Sequence, residues 1–316
     1  MPYFNIVAET SENTVVTEYE PVKKRSDSYQ SEAELEKEFI RLLCEQGYEY
    51  LPIHTEKDLI VNLRKKLEEL NNYQFSDTEW DDFFKNAVAN PNEHIVEKTR
   101  KIQEDNIQVL TRDDGSSKNI TLIDKKNIHN NRLQVINQYK VNAAAGSREG
   151  SLGCVTGTEN GAKHDNRYDV TVLVNGLPLV HIELKRRGVA IREAFNQINR
   201  YQRDSFWAGC GLYEYIQIFV ISNGTNTKYY SNSTRRNAEK EHEKRGASKT
   251  KTSNSFEFTC FWADANNRVI PDLIDFTKTF FAKHTILNVL TKYCIFTSED
   301  MLMVMRPYQI TATERI

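Results

Sequence analysis

The sequence lacks the features that mark several whole classes of protein. Its five cysteines are far apart and form no C-x-x-C pair, which excludes a disulfide framework and a zinc knuckle. No apolar run approaches the roughly 18 residues of a membrane span, and the start of the chain lacks the charged and apolar parts of a signal peptide. We therefore expect a reduced, cytoplasmic protein with no membrane partner.

Glycine, proline and an excess of one charge are also scarce. The 13 glycines and 7 prolines exclude collagen-like and proline-rich classes, and 39% hydrophobic residues suffice for a sizeable core. The 42 basic and 44 acidic residues leave a net charge of −2, so any contact with nucleic acid must come from local patches. A length of 316 residues fits one large domain or two ordinary ones.

Polarity divides the chain into several regions. Residues 1–30 are polar and irregular, which predicts a flexible arm. A mostly helical part follows, opened by a capping-box pattern at Ser31 and Glu34. The glycine-rich segment 143–163 predicts a loop, and segment 232–255 is nearly free of apolar side chains and predicts a mobile insertion.

The segment NRYDVTVLVNGLPLVHIELKRR (166–187) has the alternation of two neighbouring strands. Burying the apolar side chains of both strands on one face predicts the pairs Val170 with Leu184, Val172 with Ile182, and Val174 with Val180. In this register Asp169 lies across from Lys185 on the opposite, polar face, with Glu183 beside them. The connection between the strands then has five residues, which excludes a two-residue turn at Asn175 and Gly176 despite their local signal.

Two carboxylates and a lysine on one face form a candidate site for metal-dependent hydrolysis. Asp169 and Glu183 offer the oxygen ligands that Mg²⁺ prefers. Mg²⁺ can activate water and stabilise charge on a phosphoryl group, and Lys185 can hold or deprotonate the attacking water. A solvated strand with ordinary charges is the alternative, and His164 and His181 are open as ligands or as polar strand residues.

The helix predicted directly after this strand, at 189–207, carries two more candidates. Gln197 and Tyr201 are four residues apart and therefore share one helical face. Positive charge around the same region suits phosphate contacts and comes from Arg186, Arg187, Arg192, Arg200 and Arg203. A solvated helix face is again the alternative.

Asp169, the Glu183-Leu184-Lys185 triplet and Gln197-x-x-x-Tyr201 together resemble a PD-(D/E)-x-K nuclease site with its Q-x-x-x-Y extension. The stretch 166–201 closely resembles the amino-terminal region of the restriction (R) subunit of type I restriction–modification enzymes, and the similarity extends from SEAELEKEFIRLL onward. The motif is named for a proline directly before its aspartate, and in this sequence Tyr168 occupies that position.

The resemblance implies an α/β fold of the restriction-endonuclease type, with a mixed central sheet flanked by helices and an endonuclease domain over 31–270. It implies that Asp169 and Glu183 bind Mg²⁺ and that Lys185 assists the water nucleophile. It also implies that Gln197 and Tyr201 are needed for cleavage. A glutamate of the first helix often completes such sites, and here Glu34 and Glu38 both remain open.

The last segment, MRPYQITATERI (305–316), resembles the stretch that precedes the first motif of a superfamily 2 motor. The resemblance implies that 271–316 connects to and begins a truncated RecA-like motor domain. Gln309 stands in the place of a glutamine that contacts the adenine of ATP in the full-length protein. The Walker lysine and the acidic box are absent from this chain, so we expect no ATP hydrolysis by it alone.

The expected function is therefore that of the DNA-cleaving portion of a type I site-specific deoxyribonuclease. Its substrate is double-stranded DNA, and its partners are the methylation and specificity subunits of the restriction complex. Two alternatives stay open. One is a repair or junction nuclease with the same chemistry, and the other is a non-catalytic module that docks DNA or partner subunits.

Overall fold

A computed structural model describes residues 4–9, 14–19, 30–141, 165–233 and 254–314. The predicted loop at 143–163, most of the predicted insertion at 232–255 and His164 lie outside these ranges. In chain order the α-helices are α1 (Glu32–Glu45), α2 (Glu56–Asn71), α3 (Asp77–Phe83), α4 (Ile95–Gln103), α5 (Ile191–Asp204), α6 (Leu273–Phe280), α7 (Lys283–Thr291) and α8 (Pro307–Glu314). The strands are β1 (Phe4–Glu9), β2 (Thr14–Tyr19), β3 (Glu49–Tyr50), β4 (Ile107–Thr111), β5 (Ser117–Thr121), β6 (Leu133–Val141), β7 (Asn166–Val174), β8 (Leu177–Leu184), β9 (Ile218–Ser222), β10 (Thr227–Ser231), β11 (Trp262–Ala263), β12 (Val269–Ile270), β13 (Cys294–Phe296) and β14 (Leu302–Val304).

A six-stranded mixed sheet in the order β10-β9-β8-β7-β6-β3 forms the centre of the described structure. The β3–β6 and β8–β9 neighbours are parallel, and the others are antiparallel. Every residue of β8 is buried, which is typical of a strand covered on both faces. Helices α1 and α5 both contact β8. The prediction of an α/β fold with a mixed central sheet flanked by helices is confirmed.

Two helices begin at capping boxes, whereas α5 begins two residues after the predicted start at 189. Ser31 and Glu34 form the capping box of α1, and Ser76 and Glu79 form the equivalent box of α3. The apolar stripe of α1 is buried, and its members are Leu35, Phe39, Leu42 and Leu43. Helix α1 packs against α6, where the rings of Phe39 and Phe281 meet at 5.4 Å. None of the helices in the described ranges is long and apolar enough to cross a bilayer.

The prediction of an irregular arm over residues 1–30 is wrong for two of its segments. Strands β1 and β2 pair as an antiparallel hairpin and lie against α7 and α8. The alternation of Phe4, Ile6 and Ala8 is the strand signal that the overall polarity of the arm obscured.

The predicted register of the β7–β8 hairpin is wrong by two residues. Val170 pairs with Ile182, and Val172 pairs with Val180. The turn is a two-residue turn at Asn175 and Gly176, which the predicted register excludes. Both residues have positive φ (52° and 85°), as a tight hairpin turn requires.

A β-bulge allows this tight turn while the apolar side chains of both strands stay on the same face of the sheet. The pairing shifts by one residue between Val172 and Leu173, so Leu179 has no cross-strand partner. Because of this extra residue, Val170 and Val172 pair with the apolar residues Ile182 and Val180 on the other side of the bulge. Continuing the Val170–Ile182 register by one position then places Asp169 opposite Glu183.

Candidate functional site

The two carboxylates of the predicted site come together between the central strands. Asp169 Oδ2 accepts a hydrogen bond of 2.9 Å from the backbone N–H of Leu184. Glu183 is fully buried, and its Oε1 accepts a bond of 3.0 Å from Lys185 Nζ. The structure thus brings Asp169, Glu183 and Lys185 together as the sequence predicts, although Asp169 faces Glu183 rather than Lys185.

Burial raises the pKa values of both carboxyl groups in this pair. Burial, followed by the charge of Glu183, raises the pKa of Asp169 to about 7. Burial also raises the pKa of Glu183 to about 7, although Lys185 works in the opposite direction. Two neighbouring carboxyl groups with pKa values near 7 form a site at which a bound cation would stabilise their ionised forms.

Lys185 is a cation in this arrangement. Partial burial lowers its pKa, but the charges of Glu183 and Asp169 outweigh that effect and leave the pKa above its ordinary value. A protonated lysine donates hydrogen bonds and accepts none. It can therefore orient a water molecule or a phosphate oxygen, and of the two roles open from the sequence the structure favours holding over deprotonation.

Gln197 and Tyr201 lie on one face of α5, as their spacing predicts. The Gln197 amide donates to the Tyr201 hydroxyl, and that hydroxyl donates to the backbone carbonyl of Arg167 at 3.0 Å. Tyr201 is buried, and burial followed by the charge of Glu183 raises its pKa. The pair therefore connects α5 to the start of β7, two residues before Asp169.

The first helix places another glutamate, Glu36, close enough to Asp169 for their charges to interact. Glu34 is engaged in the capping box, and Glu38 accepts from Gln30 at 2.8 Å. Glu36 instead accepts a bond of 2.6 Å from Asn137 Nδ2. Burial and, to a smaller extent, the charge of Asp169 raise the pKa of Glu36.

Helical periodicity explains this outcome. Glu32 and Glu36 are four residues apart and share a face, whereas Glu34 and Glu38 lie about half a turn away. Glu32 Oε1 accepts a bond of 3.3 Å from the backbone N–H of Arg186, and its charge acts on Glu183. The four-residue spacing of Glu32 and Glu36 was the available signal, and sequence reasoning missed it.

The donor set of the site fits a hard divalent cation held partly by water. Within the described ranges, no three His, Cys, Asp or Glu side chains converge closely enough to hold a metal ion by themselves. The pair of Asp169 and Glu183 supplies two carboxylates, and Glu183 Oε2 is buried without a hydrogen-bond partner in the described structure. Mg²⁺ is commonly bound by one or two carboxylates with retained waters.

Gln309 lies far along the chain from this site, at the beginning of α8. Its Oε1 accepts a bond of 2.8 Å from the backbone N–H of Arg306, which caps the helix. The adenine contact that the resemblance implies for Gln309 stays a prediction, as does the beginning of a RecA-like domain.

Comparisons with known proteins identify the family. The family model described as "Type I restriction enzyme R protein N terminus" matches residues 29–238. The EcoprrI endonuclease subunit of a type I restriction enzyme from Escherichia coli is 47% identical over 311 residues, covering 98% of this chain and 88% of that protein.

More distant relatives are longer than this chain. The SsaAORF53P endonuclease subunit from Staphylococcus saprophyticus is 35% identical over 294 residues, which are 91% of this chain and 27% of that protein. The SauMSSORF170P endonuclease subunit from Staphylococcus aureus is 34% identical, with 92% and 27% covered. This chain therefore belongs to the family of type I restriction enzyme R protein N termini.

Proposed function

We propose that this chain carries the DNA-cleaving site of a type I restriction enzyme and that it hydrolyses phosphodiester bonds of double-stranded DNA with Mg²⁺. The observation that carries the proposal is the pairing of half-buried Asp169 with fully buried Glu183, whose carboxylate accepts a hydrogen bond from Lys185. The name "endonuclease subunit", which the relatives bear, supports the same chemistry.

In the proposed mechanism the two carboxylates share one role and Lys185 has another. Asp169 and Glu183 would hold the cation, with Glu36 and the Asn137 amide beside them. When bound, Mg²⁺ stabilises the charge of the phosphoryl group and lowers the pKa of the attacking water. Lys185 donates hydrogen bonds that orient the water, whose oxygen attacks phosphorus while one ester P–O bond breaks. The attacking water gives up one proton to solvent, and the leaving oxygen takes up one proton from solvent.

Gln197 and Tyr201 support this site from α5. Tyr201 is anchored on the Arg167 carbonyl and in turn receives the Gln197 amide. We propose that this contact sets the position of β7 relative to β8, and that loss of either side chain weakens cleavage through the position of Asp169.

In the complete enzyme we propose that cleavage follows ATP-driven translocation of DNA. The motor would belong to superfamily 2, with Gln309 contacting adenine, and the partners would be the methylation and specificity subunits in the cytoplasm. These parts of the proposal rest on the family and on the resemblance of residues 305–316. The relatives that extend well past the length of this chain support them.

The test uses Asp169→Ala and Lys185→Ala in the assembled enzyme, with Asp82→Ala on the exposed face of α3 as the control. We expect both site variants to translocate DNA without cutting it, while the control cuts normally. Calorimetric titration of this chain with Mg²⁺ should show binding that Asp169→Ala abolishes. Cutting by both site variants would refute the assignment, and a non-catalytic docking module would then be the better account.

A further inference from the structure

A row of buried polar side chains connects Tyr213 to the Glu183 carboxylate oxygen that does not bind Lys185. The Tyr213 hydroxyl lies 3.4 Å from Thr171 Oγ1, which lies 3.3 Å from His181 Nδ1. On the other side of the imidazole, His181 Nε2 is 3.6 Å from Glu183 Oε2. All four side chains are at least nine-tenths buried.

The last two atoms of this row are unsatisfied. His181 Nε2 and Glu183 Oε2 are both buried and have no hydrogen-bond partner in the described structure. Buried polar atoms without partners are rare, because each has lost its hydrogen bonds to water without a replacement. A movement of a few tenths of an ångström would turn their 3.6 Å separation into a hydrogen bond.

The surroundings keep the imidazole in place and without charge. Four aromatic rings meet it edge-on at centroid distances of 5.6–6.4 Å, and they belong to Tyr168, Tyr201, Phe206 and Phe219. The imidazole is fully buried, and burial disfavours its charged form. A neutral imidazole has a single N–H group, so the tautomer decides which nitrogen can donate.

We propose that His181 is a positioning residue for Glu183, with its proton on Nε2 and directed at Oε2. In this arrangement the Thr171 hydroxyl donates to Nδ1, and Tyr213 donates to Thr171. The imidazole then fixes the rotation of the Glu183 carboxylate, so that Oε1 stays with Lys185 and the site needs little reorganisation to receive a cation. The inference rests on the proposed function of Glu183 as a metal ligand.

A competing arrangement places the proton on Nδ1. The backbone of Val170 also lies within reach of the ring, and it could receive that proton. Nε2 would then present a lone pair, and the ionised Glu183 carboxylate has no proton to donate to it. Nitrogen-15 spectra of the metal-free chain, labelled at histidine, distinguish the two tautomers. His181→Gln identifies the signals, and protonated Nδ1 would overturn the proposal.

Two amide substitutions test the role in the site itself. Glutamine can place its side-chain N–H near the position of Nε2, whereas asparagine reaches only the position of Nδ1. We expect Mg²⁺ affinity, measured by calorimetry on this chain, to stay within about threefold in His181→Gln and to fall roughly 10–100-fold in His181→Asn, as is typical for loss of a ligand's supporting partner. Urea unfolding of both variants shows whether a loss of affinity is merely a loss of folded protein.

The outcomes separate this proposal from the function on which it rests. Equal Mg²⁺ affinity in folded His181→Gln and His181→Asn would overturn the positioning role and leave the metal site standing. Absence of Mg²⁺ binding in the wild-type chain would overturn both. Thr171→Val, which removes only the hydroxyl behind Nδ1, should reduce affinity less than His181→Asn and should shift the tautomer ratio towards Nδ1–H.

Discussion

Two hairpins of the described structure, β4–β5 and β7–β8, have turns of similar composition but very different surroundings. The β4–β5 hairpin turns through Asp113-Asp114-Gly115, pairs in a continuous register, and exposes Ile107 and Val109. The β7–β8 hairpin turns through Asn175-Gly176, contains a bulge, and is buried in the central sheet.

One aspartate of each hairpin shows how these surroundings change the pKa of a carboxyl group. Asp114 is exposed, and hydrogen bonds from Ser116 lower its pKa. Asp169 has a neighbouring carboxylate and little solvent, and its pKa rises to about 7. A carboxylate becomes a candidate catalytic group through its position in the sheet and not through the local hairpin sequence.

The largest expected effect contrasts the same substitution in the two hairpins. Asp169→Asn removes a ligand charge, and we expect DNA cleavage by the assembled enzyme to fall about 10³-fold, since a bound metal contributes several kcal/mol to the transition state. Asp114→Asn should cut at the wild-type rate. Initial cleavage rates at saturating Mg²⁺ measure both, and similar rates would remove the distinction between the hairpins.

The turn glycines should differ in their contributions to stability. A Cβ on Gly176 would lie 2.6 Å from the Cα of Leu63 in α2, and φ is +85°. A Cβ on Gly115 meets nothing within 4 Å, although φ is +79°. We expect Gly176→Ala to cost about 3 kcal/mol or more of unfolding free energy and Gly115→Ala about 1 kcal/mol. Urea denaturation tests this, and equal costs would contradict the close approach.

Stability should depend on pH in opposite directions for the two hairpins. Asp169 and Glu183 have raised pKa values of about 7 when folded, so their protonated forms favour the fold and that stability is lost as the pH rises towards and through 7. Asp114 has a lowered pKa, so its contribution is present above the ordinary value of 3.8 and is lost as the pH falls.

The measurement is the free energy of unfolding in a chelator at about pH 5 and about pH 8. We expect the wild-type chain to be less stable at the higher pH by a few kcal/mol, because the coupled pair resists double ionisation. The double variant Asp169→Asn/Glu183→Gln should lose most of this difference, whereas Asp114→Asn should retain it. A wild-type chain that is equally stable at both values would refute the raised pKa values.

The smallest effect concerns the first helix. Glu36→Gln removes a charge that acts on Asp169, and we expect Mg²⁺ affinity to fall roughly tenfold, as for other groups that support a metal ligand. Glu38→Gln on the other face of α1 is the matched control and should bind Mg²⁺ normally. If Glu38→Gln has the larger effect in calorimetry, Glu36 is the wrong residue.

Local patterns explain why much of the fold was predictable. The capping boxes at Ser31 and Ser76 involve residues three apart, and the strands β7 and β8 show an alternation that any correct pairing must respect. Asp169, Glu183 and Lys185 were placed together even in the wrong register. A shift of two residues leaves each side chain on its face, whereas a shift of one would not.

Other features depend on contacts that no local pattern contains. The bulge at Leu179 allows the Asn175–Gly176 turn to coexist with the buried apolar face, and Gly176 has to fit against α2. The choice of Glu36 depends on the side of α1 that faces Asp169. Strand β10 completes the sheet edge but was not anticipated, because its short TKYYS sequence lies close to a highly charged segment.

By itself, the sequence determined which residues could act together: its alternation and its four-residue spacings depend only on backbone geometry. Tertiary structure decided the register, the helix face and the burial. Those follow from packing between segments far apart in the chain, and burial is what moves the pKa values of Asp169 and Glu183 to about 7. The residue types were written in the sequence, but the reactivity proposed for them arises from the environment that the folded chain builds around them.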